Sequence, residues 1–207
     1  MPIVEKAWNH NTHYHRRLLR LVPDDCERAL DVGCGDGTFA ACLAAKGAAV
    51  IALDSDHAQV ELARRACADL ANVSVWHGDF LTADLGQDAF DVVTALASLH
   101  HVPFAAAIER MYELLRPGGT LIVLGVWTDN ATALDVVLNH AAGAMNMFFQ
   151  RIWGRDVMNA PATPPEMTLR DVRREAACLV PEASVRRYLL WRYVLVWQKP
   201  KAEPVQD

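Results

Sequence analysis

Three glycines at alternate positions, Gly33, Gly35 and Gly37, stand in the run Asp31-Val32-Gly33-Cys34-Gly35-Asp36-Gly37. Glycines so spaced let a ligand approach the backbone where a Cβ would block it, and they accept positive φ without strain. The loop follows a short apolar run and opens a helical one, so a helix N-terminus adds partial positive charge beside it. Two further acidic residues, Asp54 and Asp79, follow later apolar runs. Dinucleotide sites carry GxGxxG; here the pattern is GxGxG, with Asp31 two residues ahead of the first glycine. So acidic a loop repels a pyrophosphate and suits a nucleoside that bears an ammonium group and no phosphate. S-adenosylmethionine (SAM) has that chemistry. An acidic side chain at the end of the second strand reaches ribose hydroxyls, each charge-assisted hydrogen bond being worth about 1.5–3 kcal/mol.

A methyl carbon on a sulfonium needs an acceptor held in line and water kept out, and orientation of that kind supplies roughly 7–11 kcal/mol. A general base adds about 10²- to 10⁴-fold where the acceptor must lose a proton. His100 and His101 lie just past the fourth apolar run, with His100 the candidate base and Leu96 and Ala97 the candidate lining of the methionine pocket. The N-terminal segment collects Trp8, His10, His13, Tyr14 and His15. It reads as a lid, with Tyr14 the candidate cofactor contact. Between Asn130 and Pro165 bulky apolar residues gather, among them Met145, Phe148, Phe149 and Trp153. They read either as core or dimer face or as a hydrophobic acceptor pocket, in which Phe148 and Trp153 are the candidate substrate contacts.

These residues need a scaffold that brings loops to one edge. Arg28–Val32, Val50–Leu53, Val73–Trp76, Phe90–Leu96 and Thr120–Val126 read as strands, the fourth apolar almost throughout, as a strand covered on both faces should be. Helical patterns separate them: Thr38–Lys46 closed by Gly47, a helix capped by Asp56 with the stripe Val60, Ala63, Cys67 and Leu70, and Phe104, Ile108, Met111 and Leu115. Pro117-Gly118-Gly119 reads as a turn. Trp8–Leu21 reads as a first helix, and Thr168–Val180 as a last one with Thr168 as its N-cap and Asp171 in its first turn. Ser184–Leu189 and Tyr193–Gln198 lie close enough to form only an antiparallel hairpin. Strand and helix alternate five times, which implies a parallel sheet with right-handed crossovers. Asp91 is assigned to strand-end structure.

The Asp31–Gly37 loop, Asp54, Gly78-Asp79-Phe80, Phe90-Asp91-Val92-Val93 and Leu115-Arg116-Pro117-Gly118-Gly119 together resemble the successive motifs of class I SAM-dependent methyltransferases, nearest to the quinone-biosynthesis-like group. The resemblance spans roughly Arg28–Val126. It implies an α/β, Rossmann-like, seven-stranded and mostly parallel sheet of order 3-2-1-4-5-7-6, strand 7 antiparallel, with helices on both faces. It also implies that the Asp31–Gly37 loop holds the methionine part of SAM, through Asp31, Gly33, Cys34, Gly35 and Gly37. Asp54 would hold the ribose, Ser55 would lie against the adenine, and Asp79 with Phe80 would hold the adenine amine and ring. The product would be S-adenosylhomocysteine (SAH), and no metal is required.

Composition bounds the rest. With 207 residues, 52% of them hydrophobic and 22% charged, the chain suits one globular domain over residues 1–200 with a flexible tail at 201–207. A net charge of -5 and no dense Lys/Arg run disfavour nucleic acid as a partner. Base-directed methyltransferases usually carry Asp/Asn-Pro-Pro-aromatic after the fourth strand, where this chain has Leu96-Ala97-Ser98-Leu99-His100. A Tyr-x-x-x-Lys pair, expected of many NAD(P)-dependent oxidoreductases, is not evident; a non-catalytic SAM-binding subunit is the other alternative. Five scattered cysteines without metal-ligand spacing suit reduced thiols. No signal core or membrane-length apolar window occurs, so the expectation is a cytoplasmic protein, monomer or homodimer, that acts on a small partly apolar metabolite.

Overall fold

The computed structural model describes residues 12–128, 165–189 and 191–201. The expectations placed on Trp8, His10, Met145, Phe148, Phe149 and Trp153 lie outside the described residues, as does nearly all of the segment from Asn130 to Pro165. Seven strands form one sheet of order β3-β2-β1-β4-β5-β7-β6. They are β1 (Arg28–Val32), β2 (Ala49–Asp54), β3 (Val73–His77), β4 (Phe90–Leu96), β5 (Leu115–Val126), β6 (Ser184–Tyr188) and β7 (Arg192–Gln198). The first five are parallel and β7 runs antiparallel to both β5 and β6, as the motif resemblance implied.

Two apolar layers clamp the sheet. On one face α1 (Thr12–Leu19), α2 (Thr38–Ala45) and α3 (His57–Ala66) cover Ala29, Val50, Ala52, Val92, Ile122 and Leu124. On the other, α4 (Phe104–Leu114) and α5 (Leu169–Leu179) cover Leu30, Val32, Val93, Ala95, Leu121 and Val123. Neighbouring residues of β1, β4 and β5 thus serve opposite cores, which is why these strands read as continuous apolar runs rather than alternating ones. Asp56 accepts from Ala58 N–H at 2.8 Å as the α3 N-cap, and Thr168 with Asp171 closes a capping box on α5.

Three expected boundaries shift. α3 ends at Ala66 with Cys67 as its C-cap, so Leu70 lies beyond the helix. The chain must turn there to reach β3, and Asn72 pins the return by donating to the carbonyls of Ala44 at 2.9 Å and Ala48 at 2.8 Å. α1 stops at Leu19, before Leu21. Pro117-Gly118-Gly119 is not a free turn but a bulge within β5, where the pairing jumps from Phe90–Leu115 to Val92–Thr120. Gly118 has φ +83°, its N–H donates to Lys199 O at 2.9 Å, and Lys199 N–H donates to Gly119 O at 2.9 Å. Asp91 holds the same corner: it accepts from the N–H groups of Glu27 and Arg28 and pairs with Arg116 at 2.7 Å, the structural role expected of it.

Gly125, buried in β5, faces Tyr193 of β7, and a Cβ built there would fall within the tyrosine ring. Overpacking of this kind costs about 1–3 kcal/mol. Gly125→Ala is expected to lower unfolding stability by that amount in urea titration, with Tyr193→Leu in the same chain recovering part of it; an Ala variant as stable as the parent would contradict the packing.

Candidate functional site

The carboxyl ends of β1, β2, β3 and β4 open onto one edge, where α/β sheets bind ligands. The glycine loop leaves β1 there. Gly33 N–H and Cys34 N–H both donate to Leu53 O of β2, at 2.8 and 3.0 Å, and Gly37 N–H donates to Cys34 O at 3.0 Å. Gly35 N–H donates to Asp54 Oδ2 at 2.8 Å, and Thr38 N–H donates to Asp36 Oδ1 at 3.0 Å. Five backbone donors are therefore satisfied within the fold. These five N–H groups are not left free for a ligand; what the edge presents instead is carboxylate.

The three glycines are bare for different reasons. All three have positive φ, between +55° and +78°. A Cβ at Gly33 would collide with Ser98, and one at Gly37 would come within 3.0 Å of Ala63 and 3.1 Å of Cys67 Sγ on the α3 side. Around Gly35 the nearest atom to such a Cβ is Gln59 Oε1 at 3.8 Å. Gly33 and Gly37 thus let the fold close on itself, and only Gly35 leaves its face open.

Asp31 is fully buried beneath this loop. Its Oδ1 accepts from Thr94 Oγ1 at 2.7 Å, while its Oδ2 has no hydrogen-bond partner among the described residues. Burial raises its pKa to about 7, opposed by the Thr94 hydroxyl and reinforced by the charges of Asp54 and Asp36. Asp54, at the end of β2, accepts from Gly35 N–H through Oδ2 and from Asp56 N–H through Oδ1 at 2.9 Å; a carboxylate retains further lone pairs for a hydroxyl. Ser55 is exposed beside it, and its carbonyl lies 3.1 Å from His77 Nε2. Past β3, Asp79 is exposed and accepts from Leu81 N–H at 2.9 Å, while Phe80 is buried in the core. Cys34 is a buried thiol whose pKa burial raises further.

Beyond β4 the chain turns sharply. Ala97 holds φ +54°, unusual for a residue with a Cβ, and donates its N–H to Leu124 O at 2.7 Å. Ser98 Oγ donates to Val32 O at 2.8 Å. The two bonds fasten the turn to β5 and β1, and the short 3-10 helix Leu99–His101 follows. Leu96 packs half-buried on the α1–α2 side. His100 lies 4.0 Å from the His101 ring, and its Nδ1 is buried with no hydrogen-bond partner among the described residues. Burial lowers its pKa to about 4, with His101 and Arg192 acting in the same sense. The ring is neutral at physiological pH.

The structure separates two residues of the expected lid. Tyr14 is buried, donates its hydroxyl to Leu189 O at 2.8 Å and meets the Tyr188 ring edge-on at 5.6 Å, so it leans toward the β6–β7 hairpin. His15 turns the other way: its ring lies 5.0 Å from Phe39 of α2. Burial lowers the His15 pKa to about 4 against the opposing charge of Asp36. His15 is thus the described α1 residue beside the glycine loop. Arg192, which no sequence motif marked, begins β7 at this edge with 7% of its surface exposed.

A methyltransferase-domain family model matches residues 29–119. An uncharacterised methyltransferase of Mycobacterium bovis is 37% identical over 206 residues, covering 95% of this chain and 100% of that one. The chain belongs to this methyltransferase family. A demethylmenaquinone methyltransferase of Clavibacter sepedonicus is 35% identical over 104 residues, covering 50% of this methyltransferase and 42% of the relative. Among solved structures, a Pyrococcus horikoshii protein matches with TM-score 0.67 at 17% identity, covering 97% of this chain and 94% of that one. The geranyl diphosphate C-methyltransferase of Streptomyces coelicolor, solved with SAH, matches with TM-score 0.65 at 13% identity, covering 91% and 79%. These two likenesses show a shared fold. The methyltransferase is SAM-dependent, as the members of its class are, and an unpartnered buried Asp31 oxygen with an open face at Gly35 fits a ligand bearing an ammonium group.

Asp31 makes the stability of the ligand-free enzyme depend on pH. Its folded pKa of about 7 lies above the unfolded carboxylate value of about 3.9. Between those values the folded state keeps a proton that the unfolded state has released, so each rise in pH favours unfolding, and the loss levels off above about pH 7. Asp31→Asn removes this term. Its melting temperature is expected to exceed the parent's at pH 8 and to converge with it near pH 4, while SAH affinity falls at least about tenfold for want of a charge-assisted bond. Parallel melting profiles across that range would contradict the assignment.

Proposed function

We propose that the chain transfers a methyl group from SAM to a small, partly apolar metabolite. The observation that carries the reading is the balance of donors and acceptors at the glycine loop: the N–H groups of Gly33, Cys34, Gly35, Gly37 and Thr38 are consumed internally, and Asp31, Asp36 and Asp54 gather around it. Such a loop suits an ammonium and opposes a pyrophosphate.

Asp31, fixed by Thr94, stabilises the ammonium of the methionine part, with Gly35 giving it room and Gly33, Cys34 and Gly37 shaping the loop. Asp54 accepts from the ribose hydroxyls, Ser55 lies along the adenine, Asp79 accepts from the adenine amine, and Phe80 closes the floor beneath the ring. Leu96 and Ala97 bound the methionine end. Bound SAM would supply an electrophilic methyl carbon to the acceptor's lone pair, with SAH as the leaving product. His100 accepts a hydrogen bond from an acceptor that bears an N–H or O–H. Its low pKa keeps the imidazole unprotonated and makes it a weak base, so it orients more than it deprotonates. Tyr14 seals the α1 side, and Phe148 and Trp153 contact the acceptor's apolar part. The described residues contain no helix long and apolar enough to cross a membrane. All five cysteines are free thiols, four of them buried, which supports a cytoplasmic setting.

Calorimetric titration tests the cofactor assignment. SAM and SAH are expected to bind and NADH not to, and Asp54→Asn is expected to weaken SAH by about 10- to 100-fold through loss of a charge-assisted acceptor. Tighter binding of NADH, or an unchanged Asp54→Asn affinity, would overturn it. Transfer of labelled methyl from SAM to small molecules in a metabolite extract tests the acceptor class.

A further inference from the structure

The site has a direction. Asp54 ends β2, Asp79 lies just past β3, and the glycine loop stands at β1, so a nucleoside laid along them places its reactive end toward β4 and β5. What stands beyond β4 therefore meets the acceptor. His100 is there, and so is Arg192.

β7 is antiparallel to β5, so its first residue lies at the carboxyl edge of the parallel strands: Arg192 pairs with Val126, the last residue of β5, and with Tyr188 of β6. Along β7, Val194 and Val196 face the core that holds Tyr14 and Leu18, and two-residue alternation puts Arg192 on that face. Tyr188, its partner on β6, meets the Tyr14 ring at 5.6 Å, which sets Arg192 near α1, and its charge acts on both Tyr14 and His100. Arg17 adds a second guanidinium over the Tyr188 ring at 4.6 Å.

A guanidinium is a poor choice for filling space at a buried strand end, because desolvation opposes its charge and arginine cannot escape by giving up its proton at neutral pH. Burial lowers the Arg192 pKa only to about 10. It has five N–H donors in a planar fork, so it can hold an incoming carboxylate beside partners it already has. The electrostatics divide the edge in two: carboxylates at the β1–β2 end, suited to the cofactor's ammonium, and arginine at the β7 end, suited to the opposite charge.

We infer that the methyl acceptor is an anion, a carboxylic acid whose carboxylate is held by Arg192 beside His100 and Tyr14. This rests on the reading of the chain as a small-molecule methyltransferase and adds the acceptor's charge. The test uses the SAH-loaded protein and a panel of aliphatic and aromatic monocarboxylates, from butyrate to dodecanoate with benzoate and cinnamate, each against its neutral amide. In calorimetry the better acids are expected to bind about tenfold or more tighter than their amides. The preference should vanish in Arg192→Gln and persist in part in Arg192→Lys, with SAH affinity the check that each variant is folded. Equal binding of acids and amides, no binding of any acid, or a preference that survives Arg192→Gln would overturn the inference; the acid–amide comparison in the unaltered protein decides even if a variant fails to fold. Labelled methyl transfer separates the two claims. Transfer to amides but not acids overturns the anion assignment and leaves methyl transfer standing, whereas acid-selective binding that depends on Arg192, with no transfer to any small molecule, does the reverse.

Discussion

Asp54 holds two segments of chain at once, and the site depends on it. One carboxylate oxygen takes the Gly35 N–H and the other takes the Asp56 N–H, so the glycine loop and the entry to α3 are fixed relative to each other by one side chain at the end of β2. Gly33 and Cys34 lean on the neighbouring Leu53 carbonyl. The N–H groups of Gly33, Cys34, Gly35, Gly37 and Thr38 are thereby taken up within the fold, and the side chains gathered there are acceptors. A phosphate site is made from free N–H groups at a helix N-terminus; here the same topology has been turned toward a cation.

This arrangement sets a tension between holding the fold and binding the ligand. Asp31 lies fully buried next to two other carboxylates, with Thr94 its one described stabilising partner. A buried acid so placed is a liability to the folded chain alone and an asset once a positive charge enters.

Much of this was legible from residues because the determinants are local. The five parallel strands follow from apolar runs, the Asp56 and Thr168–Asp171 caps from residue types at helix starts, and the final hairpin from spacing. The glycine loop and Asp54 could be located because a motif fixes them, but the division of labour among the glycines could not. Gly33 is bare because of Ser98 and Gly37 because of Ala63, contacts about 65 and 26 residues away that only the folded sheet creates. For the same reason Pro117-Gly118-Gly119 read as a turn, when Lys199, arriving from the end of β7, draws it into the sheet as a bulge. Tyr14 and His15 are adjacent on one short helix, and sequence offers no means of telling which faces the hairpin and which the loop. Arg192 carries no local signature at all; its meaning comes from the reversed direction of β7, which brings the start of that strand to the edge where the others end.

The fastening of the turn after β4 has an evolutionary consequence. Ala97 and Ser98 anchor that turn to Leu124 of β5 and Val32 of β1 through a backbone N–H and a hydroxyl. The segment matched by the family model ends at residue 119, before most of β5 and all of β6 and β7. On the reading of Arg192 as the acceptor's anchor, descendants of such a scaffold exchange residues of the hairpin, and with them the acceptor, while keeping the donor half of the cleft. Diversification then needs changes at one end of a single sheet rather than a new protein.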